Sequence, residues 1–257
     1  MTDNTITYEQ PLNEHIRICL RLEHLFKQLR EHITIATVSS SRMAMTALLK
    51  ILNVTDRPDL KSKLSQSLSQ QASMLSQLEH IQHVDTEKLQ RILDQLDQAI
   101  DQLYHIQGKM GDSLRNNHFL NQIRLHLSHP AGPCNFSTPA YALWLKQSDQ
   151  KRIKDLLSWS KELDSLESIT KMILRLTRES APTQKVVGNN GFYQQSLDAN
   201  LPCQMVRVTI PIADYYPEFS VGKHRLIIRF LSLNPEGQGH PQQLQNDISF
   251  DLSCCRV

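Results

Sequence analysis

The residues of this chain whose type and spacing most clearly suit a chemical task are basic. In Gly222-Lys223-His224-Arg225-Leu226-Ile227-Ile228-Arg229-Phe230, a β-strand would send alternate side chains to opposite faces. His224, Leu226, Ile228 and Phe230 are then expected to face a core. Lys223, Arg225 and Arg229, with Ile227 among them, form a cationic stripe on the other face. Arg17 and Arg21 stand at i and i+4 beside an apolar helical stripe, with His24 next on the same side. They make a second basic strip. Guanidinium groups contact carboxylates in a planar, two-pronged way, so two such strips suit an acidic peptide. Arg57, between two expected helices, is a further member of the set.

Other candidate chemistry is thinner. His80 and His83, and His126 and His129, have a spacing that can hold a metal, but no third ligand stands at a recognisable distance in sequence. The five cysteines (Cys19, Cys134, Cys203, Cys254 and Cys255) are odd in number and lack a Cys-x-x-Cys spacing. That argues against a disulfide framework or a zinc ribbon. Cys254-Cys255 reads as a terminal strand with one buried and one exposed thiol. The chain contains no Gly-x-Ser-x-Gly, no phosphate-binding Gly-x-x-x-x-Gly-Lys-Ser/Thr and no Gly-x-Gly-x-x-Gly motif. With eight glycines in 257 residues, a phosphate-cradling loop is not expected. Asp94 and Asp97 lie among glutamines on a helix surface. No catalytic residue, metal or cofactor is therefore expected.

The elements that must position these residues change character near Ala181-Pro182. Before it, Leu, Gln, Lys and Glu recur at helical spacing. Leu12, Ile16, Cys19, Leu22, Phe26, Leu29 and Ile33 form one stripe, with Pro11 in the first turn. Further helices are expected over Met43–Val54, from Pro58 through Leu60, Leu64, Leu68, Ala72, Leu75 and Leu78, and after an Asp85 cap through Leu89, Ile92, Leu96, Ile100 and Leu103. Gly108 and Gly111 end that helix. Ser113–Leu127, a short helix from Tyr141 and a long one over Ile153–Arg178 complete the bundle, with a loop at His129–Pro133. After Ala181, strands are expected at Val206–Ile210, Lys223–Leu231 and Ile248–Ser253. Asn189-Asn190-Gly191 marks a turn and Asn234-Pro235-Glu236-Gly237 a loop. Thr5–Glu9 alternates like a strand. A lone strand leaves its backbone groups unpaired, so it should join the C-terminal sheet and bring Arg17 and Arg21 near the cationic strand. The expected fold is α+β: residues 1–10 as a strand of the β-domain, 11–180 as an α-helical bundle domain, and 181–257 as a small antiparallel β-domain.

Composition sets the limits. Net charge is +2. Residues 181–257 hold six basic side chains (Lys185, Arg207, Lys223, Arg225, Arg229, Arg256) against six acidic ones (Asp198, Asp214, Glu218, Glu236, Asp247, Asp251). The stripe is thus a local arrangement and not part of a broad basic footprint. A nucleic-acid-binding module using the same basic groove is the alternative reading, weakened by 6% aromatic content and the lack of a basic run. The start has neither the basic nor the apolar region of a signal peptide. No apolar run approaches the ~20 residues of a membrane span. A soluble, cytoplasmic protein is expected.

An ordered set of residues also resembles the ZapD family of bacterial cell-division proteins: Tyr8-Glu9-Gln10-Pro11-Leu12-Asn13-Glu14 followed by Arg17 and Arg21, Arg124-Leu125-His126-Leu127-Ser128, Pro133-Cys134-Asn135-Phe136, Trp144-Leu145, Ser180-Ala181-Pro182, Asn190-Gly191-Phe192-Tyr193-Gln194, the Lys223–Phe230 segment, and Phe250-Asp251-Leu252-Ser253-Cys254-Cys255. The resemblance spans almost the whole chain. It implies a non-enzymatic homodimer with an α-helical and a β-domain, at the mid-cell division site. Such a protein binds the C-terminal tail of FtsZ, the tubulin-like division GTPase, and cross-links or bundles its filaments into a stable Z ring. The implied tail-binding residues are Arg17, Arg21, Arg57, Lys223, Arg225 and Arg229.

Overall fold

The structure, a computed structural model, describes residues 4–80, 85–198, 201–233 and 240–256, with only the backbone at 79 and 80. The expected loop at 234–237 and His83 lie outside them. In chain order the elements are β1 (Thr5–Pro11), α1 (Glu14–Ile33), α2 (Val38–Thr55), α3 (Leu60–Ser76), α4 (Thr86–His105), α5 (Asp112–Arg115), α6 (His118–Leu125), α7 (Pro139–Leu145), α8 (Asp149–Lys161), α9 (Asp164–Glu179), β2 (Gln184–Gly188), β3 (Phe192–Ser196), β4 (Cys203–Pro211), β5 (Tyr215–Val221), β6 (Arg225–Ser232) and β7 (Ile248–Arg256). The fold is α+β. Contacts divide the chain into one unit of Met1–Arg17 with Leu174–Val257 and another of Ile18–Ile173.

The first unit is built from two antiparallel sheets, ordered β1-β4-β7-β2 and β3-β6-β5. The N-terminal strand joins the first, with Thr5 opposite Pro211 and Pro11 opposite Met205. Pro11 therefore closes β1 and does not open the helix. Asn13 supplies the cap instead, its Oδ1 accepting from Ile16 N at 2.9 Å. Strict alternation sends Val206, Val208 and Ile210 of β4, Leu226, Ile228 and Phe230 of β6, and Ile248, Phe250 and Leu252 of β7 into one core. Phe230 and Phe250 meet edge to face at 4.9 Å, and Tyr193 and Tyr215 pack edgewise on the same pair. Each such buried side chain contributes ~1.5–3 kcal/mol through desolvation.

Strand β5 is absent from the sequence reading. Pro217 sits inside it and demotes a strand pattern. Its position on the sheet edge explains why the proline is tolerated: an edge strand leaves one row of backbone groups unpaired. The turn at Asn189–Gly191 is present, but β2 and β3 belong to different sheets. It is a corner between sheets and not a hairpin within one.

The second unit is helical. α1 buries Ile18, Cys19, Leu22, Phe26, Leu29 and Ile33. α2 begins five residues before Met43, because Thr37 caps it by accepting from Ser40 N at 3.0 Å. The seam of α3 is only partly the expected one. Leu60, Leu64 and Leu68 are buried, and so is Gln71, whose Nε2 donates to Ile173 O at 3.0 Å. In α4, capped by Asp85 as expected, the buried face is Leu89, Leu93, Leu96, Ala99 and Leu103, with Ile92 and Ile100 at its margins. Two expected helices are each split. Asn117 caps α6 through Leu120 N, so α5 and α6 replace Ser113–Leu127. The expected helix over Ile153–Arg178 breaks at Glu162-Leu163 into α8 and α9, with no glycine or proline to announce it.

Candidate binding site

β6 realises the alternation. Leu226, Ile228 and Phe230 are fully buried, Arg225 and Arg229 are exposed, and Ile227 is half-buried between them. The strand starts at Arg225, however, and Gly222-Lys223-His224 is the turn that joins it to β5. Gly222 N donates to Arg225 O at 2.9 Å, and Val221 pairs with Leu226 across the hairpin. Lys223 and His224 are therefore at an exposed tip, and His224 does not face the core. The reversal needs these residues, and the sequence reading spent them on the strand because it lacked β5.

The register identifies what shares the outer face with the arginines. Arg229 stands between Phe192 of β3 and Glu218 of β5; Ile227 stands between Gln194 and Ser220. Ser196 is opposite Arg225. Phe192 thus lies on the arginine face, while Tyr193, opposite Ile228, packs on Phe250 in the core.

A cleft of about 570 Å³ opens at the end of the sandwich, where β1 and β3 finish and β4 begins. β1 delivers α1 to it: Leu12 N donates to Gln204 O at 2.9 Å, and the Asn13 and Gln204 side-chain amides are hydrogen-bonded. Arg17 and Lys223 both line this cleft, together with Asp198, Cys203, Phe219 and Val221. Arg17 Nη1 also donates to Glu14 at 2.8 Å, leaving the side chain 42% exposed. Arg225 and Arg229 are on the outer face of the β3-β6-β5 sheet, not in the cleft lining. Arg21, exposed one turn beyond Arg17 on α1, and Arg57, 3.6 Å from Asp59, belong to the helical unit. The structure therefore brings Arg17 and Lys223 into one cleft and Arg225 and Arg229 onto one strand face.

Sequence reasoning missed Phe219 and Asp198 as cleft residues. Phe219 belongs to the unrecognised β5, and Asp198 follows a strand whose end no turn motif marks. His126 Nδ1 and His129 Nδ1 approach to 3.0 Å, but among the described residues no group of three or more His, Cys, Asp or Glu is placed to hold a metal.

Comparison with known proteins gives this geometry a family. Residues 20–229 match the family model described as ZapD, a cell division protein. The cell division protein ZapD of Coxiella burnetii (strain RSA 331 / Henzerling II) is 54% identical over 258 residues, covering 100% of both chains. The chain belongs to the ZapD family. More distant ZapD proteins agree over nearly full length: that of Ralstonia nicotianae is 35% identical, covering 97% of this chain and 99% of its own. The one from Methylococcus capsulatus is 32% identical, covering 98% of each. A ZapD-family chain is a cell-division protein, and the basic surfaces above are to be read in that setting. Among the described residues, no helix is long and apolar enough to cross a membrane.

Proposed function

We propose that this protein is a non-enzymatic cytoplasmic cross-linker of the mid-cell division site. It binds the C-terminal tail of FtsZ and, as a homodimer, bundles FtsZ filaments. The observation that carries the reading is the Arg225–Ile227–Arg229 face, held rigid by the buried Leu226, Ile228 and Phe230 directly behind it. Two guanidinium groups flanking an apolar side chain, with Phe192 alongside, offer both charge and an apolar anchor to a short acidic tail. Arg17 and Lys223 in the adjoining cleft extend the basic surface within the same unit, and Arg21 and Arg57 are the remaining proposed contacts. The family supports the cellular setting.

Magnitudes decide the mechanism. An exposed ion pair contributes only ~0.2–1 kcal/mol, so no single residue holds the tail. Several such contacts give a modest affinity. A homodimer carries two sites on one body and filaments carry many tails, so effective concentration raises the apparent affinity by about 10²–10⁴. Cross-linking needs no strong individual contact.

Arg225→Glu replaces attraction by repulsion at an exposed position without touching the core. Circular dichroism and the oligomeric state of the variant are expected to match the native protein, while co-sedimentation of bundled FtsZ filaments is lost. Normal bundling by the folded variant at physiological salt would refute the strand site. FtsZ lacking its tail should likewise fail to sediment with the native protein.

A further inference from the structure

The strand beside the cationic face has an edge with backbone groups to offer. Among the described residues, β3 pairs with β6 alone. Phe230 N donates to Gly191 O and Leu197 N to His224 O, both at 2.8 Å. These bonds bracket the β3–β6 ladder, in which bonded and non-bonded residue pairs alternate. Tyr193 and Gln195 therefore direct their backbone groups to β6, and Phe192, Gln194 and Ser196 direct theirs outward. Phe192 N donates to Asn189 O at 3.0 Å. The backbone N–H and C=O of Gln194 and Ser196, both exposed residues, have no partner among the described residues.

Such an edge is a template for another strand unless proline or charge guards it. Among the described residues the two sheets have four edge strands, β1, β2, β3 and β5, and charge sorts them. β1 carries Glu9 and ends in Pro11, and Arg207 beside it on β4 is already hydrogen-bonded to Glu9. Lys185 of β2 stands opposite Asp251 of β7. β5 contains Pro217 and Glu218. β3, Phe192-Tyr193-Gln194-Gln195-Ser196, has neither proline nor charge. Its neighbour β6 presents Arg225 and Arg229, exposed, on the outer face.

We propose that β3 is the docking edge for an extended acidic peptide, which adds to the β3-β6-β5 sheet as a fourth strand. The proposal rests on the tail-binding reading above and names how the FtsZ tail is held. Main-chain hydrogen bonds to Gln194 and Ser196 supply attraction that does not depend on the peptide's sequence. Specificity comes from the outer face. An added strand lies ~4.8 Å beyond β3, with every second side chain on the face that carries Arg225, Ile227 and Arg229. Ser196, opposite Arg225, is short, so the guanidinium can extend over it to a carboxylate on the added strand. Phe192, opposite Arg229, offers a ring to an apolar side chain two positions along from its neighbour at Gln194.

The test is binding of a synthetic FtsZ tail peptide to the full-length native protein, measured by fluorescence anisotropy, with single backbone N-methyl groups stepped along the peptide. An added strand turns every second N–H toward β3 and the rest to water. Methylation is expected to weaken binding by at least about tenfold at alternate positions and to change little between them. On the protein, Gln194→Pro removes an outward N–H that the β3–β6 ladder does not use, whereas Gln194→Ala keeps it. The proline variant, with a native circular dichroism spectrum, should bind about tenfold more weakly, and the alanine variant like the native protein. If Gln194→Pro fails to fold, the methylation series decides alone. Binding without alternation and unaffected by Gln194→Pro would overturn the added strand and leave the tail-binding reading standing. Alternation that survives Gln194→Pro unchanged would overturn the assignment to β3. No binding of the unmodified peptide would refute the tail-binding reading, and this inference with it.

Discussion

Glu9 takes two guanidinium groups at once. Its Oε1 accepts from Arg178 Nε at 2.8 Å and from Arg207 Nε at 2.9 Å, and its Oε2 from Arg178 Nη2 at 2.7 Å. Burial alone would push this carboxyl up. The hydrogen bonds and charges of Arg178 and Arg207 together outweigh it and hold the group below the ordinary glutamate range. Because the folded-state value is depressed, the stabilisation is full above the unfolded value of about 4.3 and fades as pH falls through the lower folded value. Glu9→Gln should lower stability by about 1–3 kcal/mol at pH 7. Thermal melts at about pH 3 should show a much smaller gap between variant and native protein, because protonated Glu9 resembles glutamine. An equal gap at both pH values would mean that the charge is not what Glu9 contributes. None of this was legible from the motif Tyr8-Glu9-Gln10-Pro11. The two partners lie 169 and 198 residues apart from Glu9 in sequence, and only sheet pairing puts Glu9 opposite Arg207.

Elements were legible where a pattern ran uninterrupted and illegible where one residue broke it. β6 was recognised from Leu226, Ile228 and Phe230, but its first residues were misplaced because β5 was hidden by Pro217. The corner between β2 and β3 was recognised from Asn189-Asn190-Gly191, yet not its role in passing the chain between sheets. That role is now explicit in the backbone. Gly191 has φ +68, and a Cβ there would come within 2.5 Å of Leu244 O. Its N–H donates to Asn246 O at 2.9 Å, fixing the corner to the residues just before β7. Gly191→Ala should therefore destabilise the protein by at least about 1–2 kcal/mol from the left-handed conformation alone, with the clash adding to it. The change should appear as a lower denaturant midpoint. A variant with unchanged midpoint would show that the corner relaxes freely. The split of the expected helix at Glu162-Leu163 shows the opposite limit: Leu163 is buried and continues the apolar pattern through the break, so periodicity could not reveal it.

At the scale of the molecule, the proposed activity rests on many weak, solvent-accessible charges rather than one strong pocket. Such contacts are screened over about 8–10 Å at 0.1–0.15 M salt. Sedimentation of FtsZ bundles by the native protein should accordingly fall steeply between low and moderate salt. Bundling that persists unchanged to about 1 M, where the screening length is about 3 Å, would point to an apolar interface instead. Arg17, 42% exposed, and the Arg225–Arg229 face, open to water on one side, should both respond.

What the sequence by itself determined is local and periodic. A period of two made β4, β6 and β7 strands with one buried face. A period near four made the helices, and side-chain caps such as Asp85 set a start. An unpaired backbone sent Thr5–Pro11 to the sheet. The ordered family residues placed the chain among cell-division proteins. What only the tertiary structure decided is which distant residues share a surface. It separated Lys223 from Arg225 by a turn, joined Lys223 to Arg17 in one cleft, and put Phe192 rather than Tyr193 beside Arg229. Each of these depends on strand order and register, which arise from pairing between segments far apart in the chain. No pattern within a single segment encodes them.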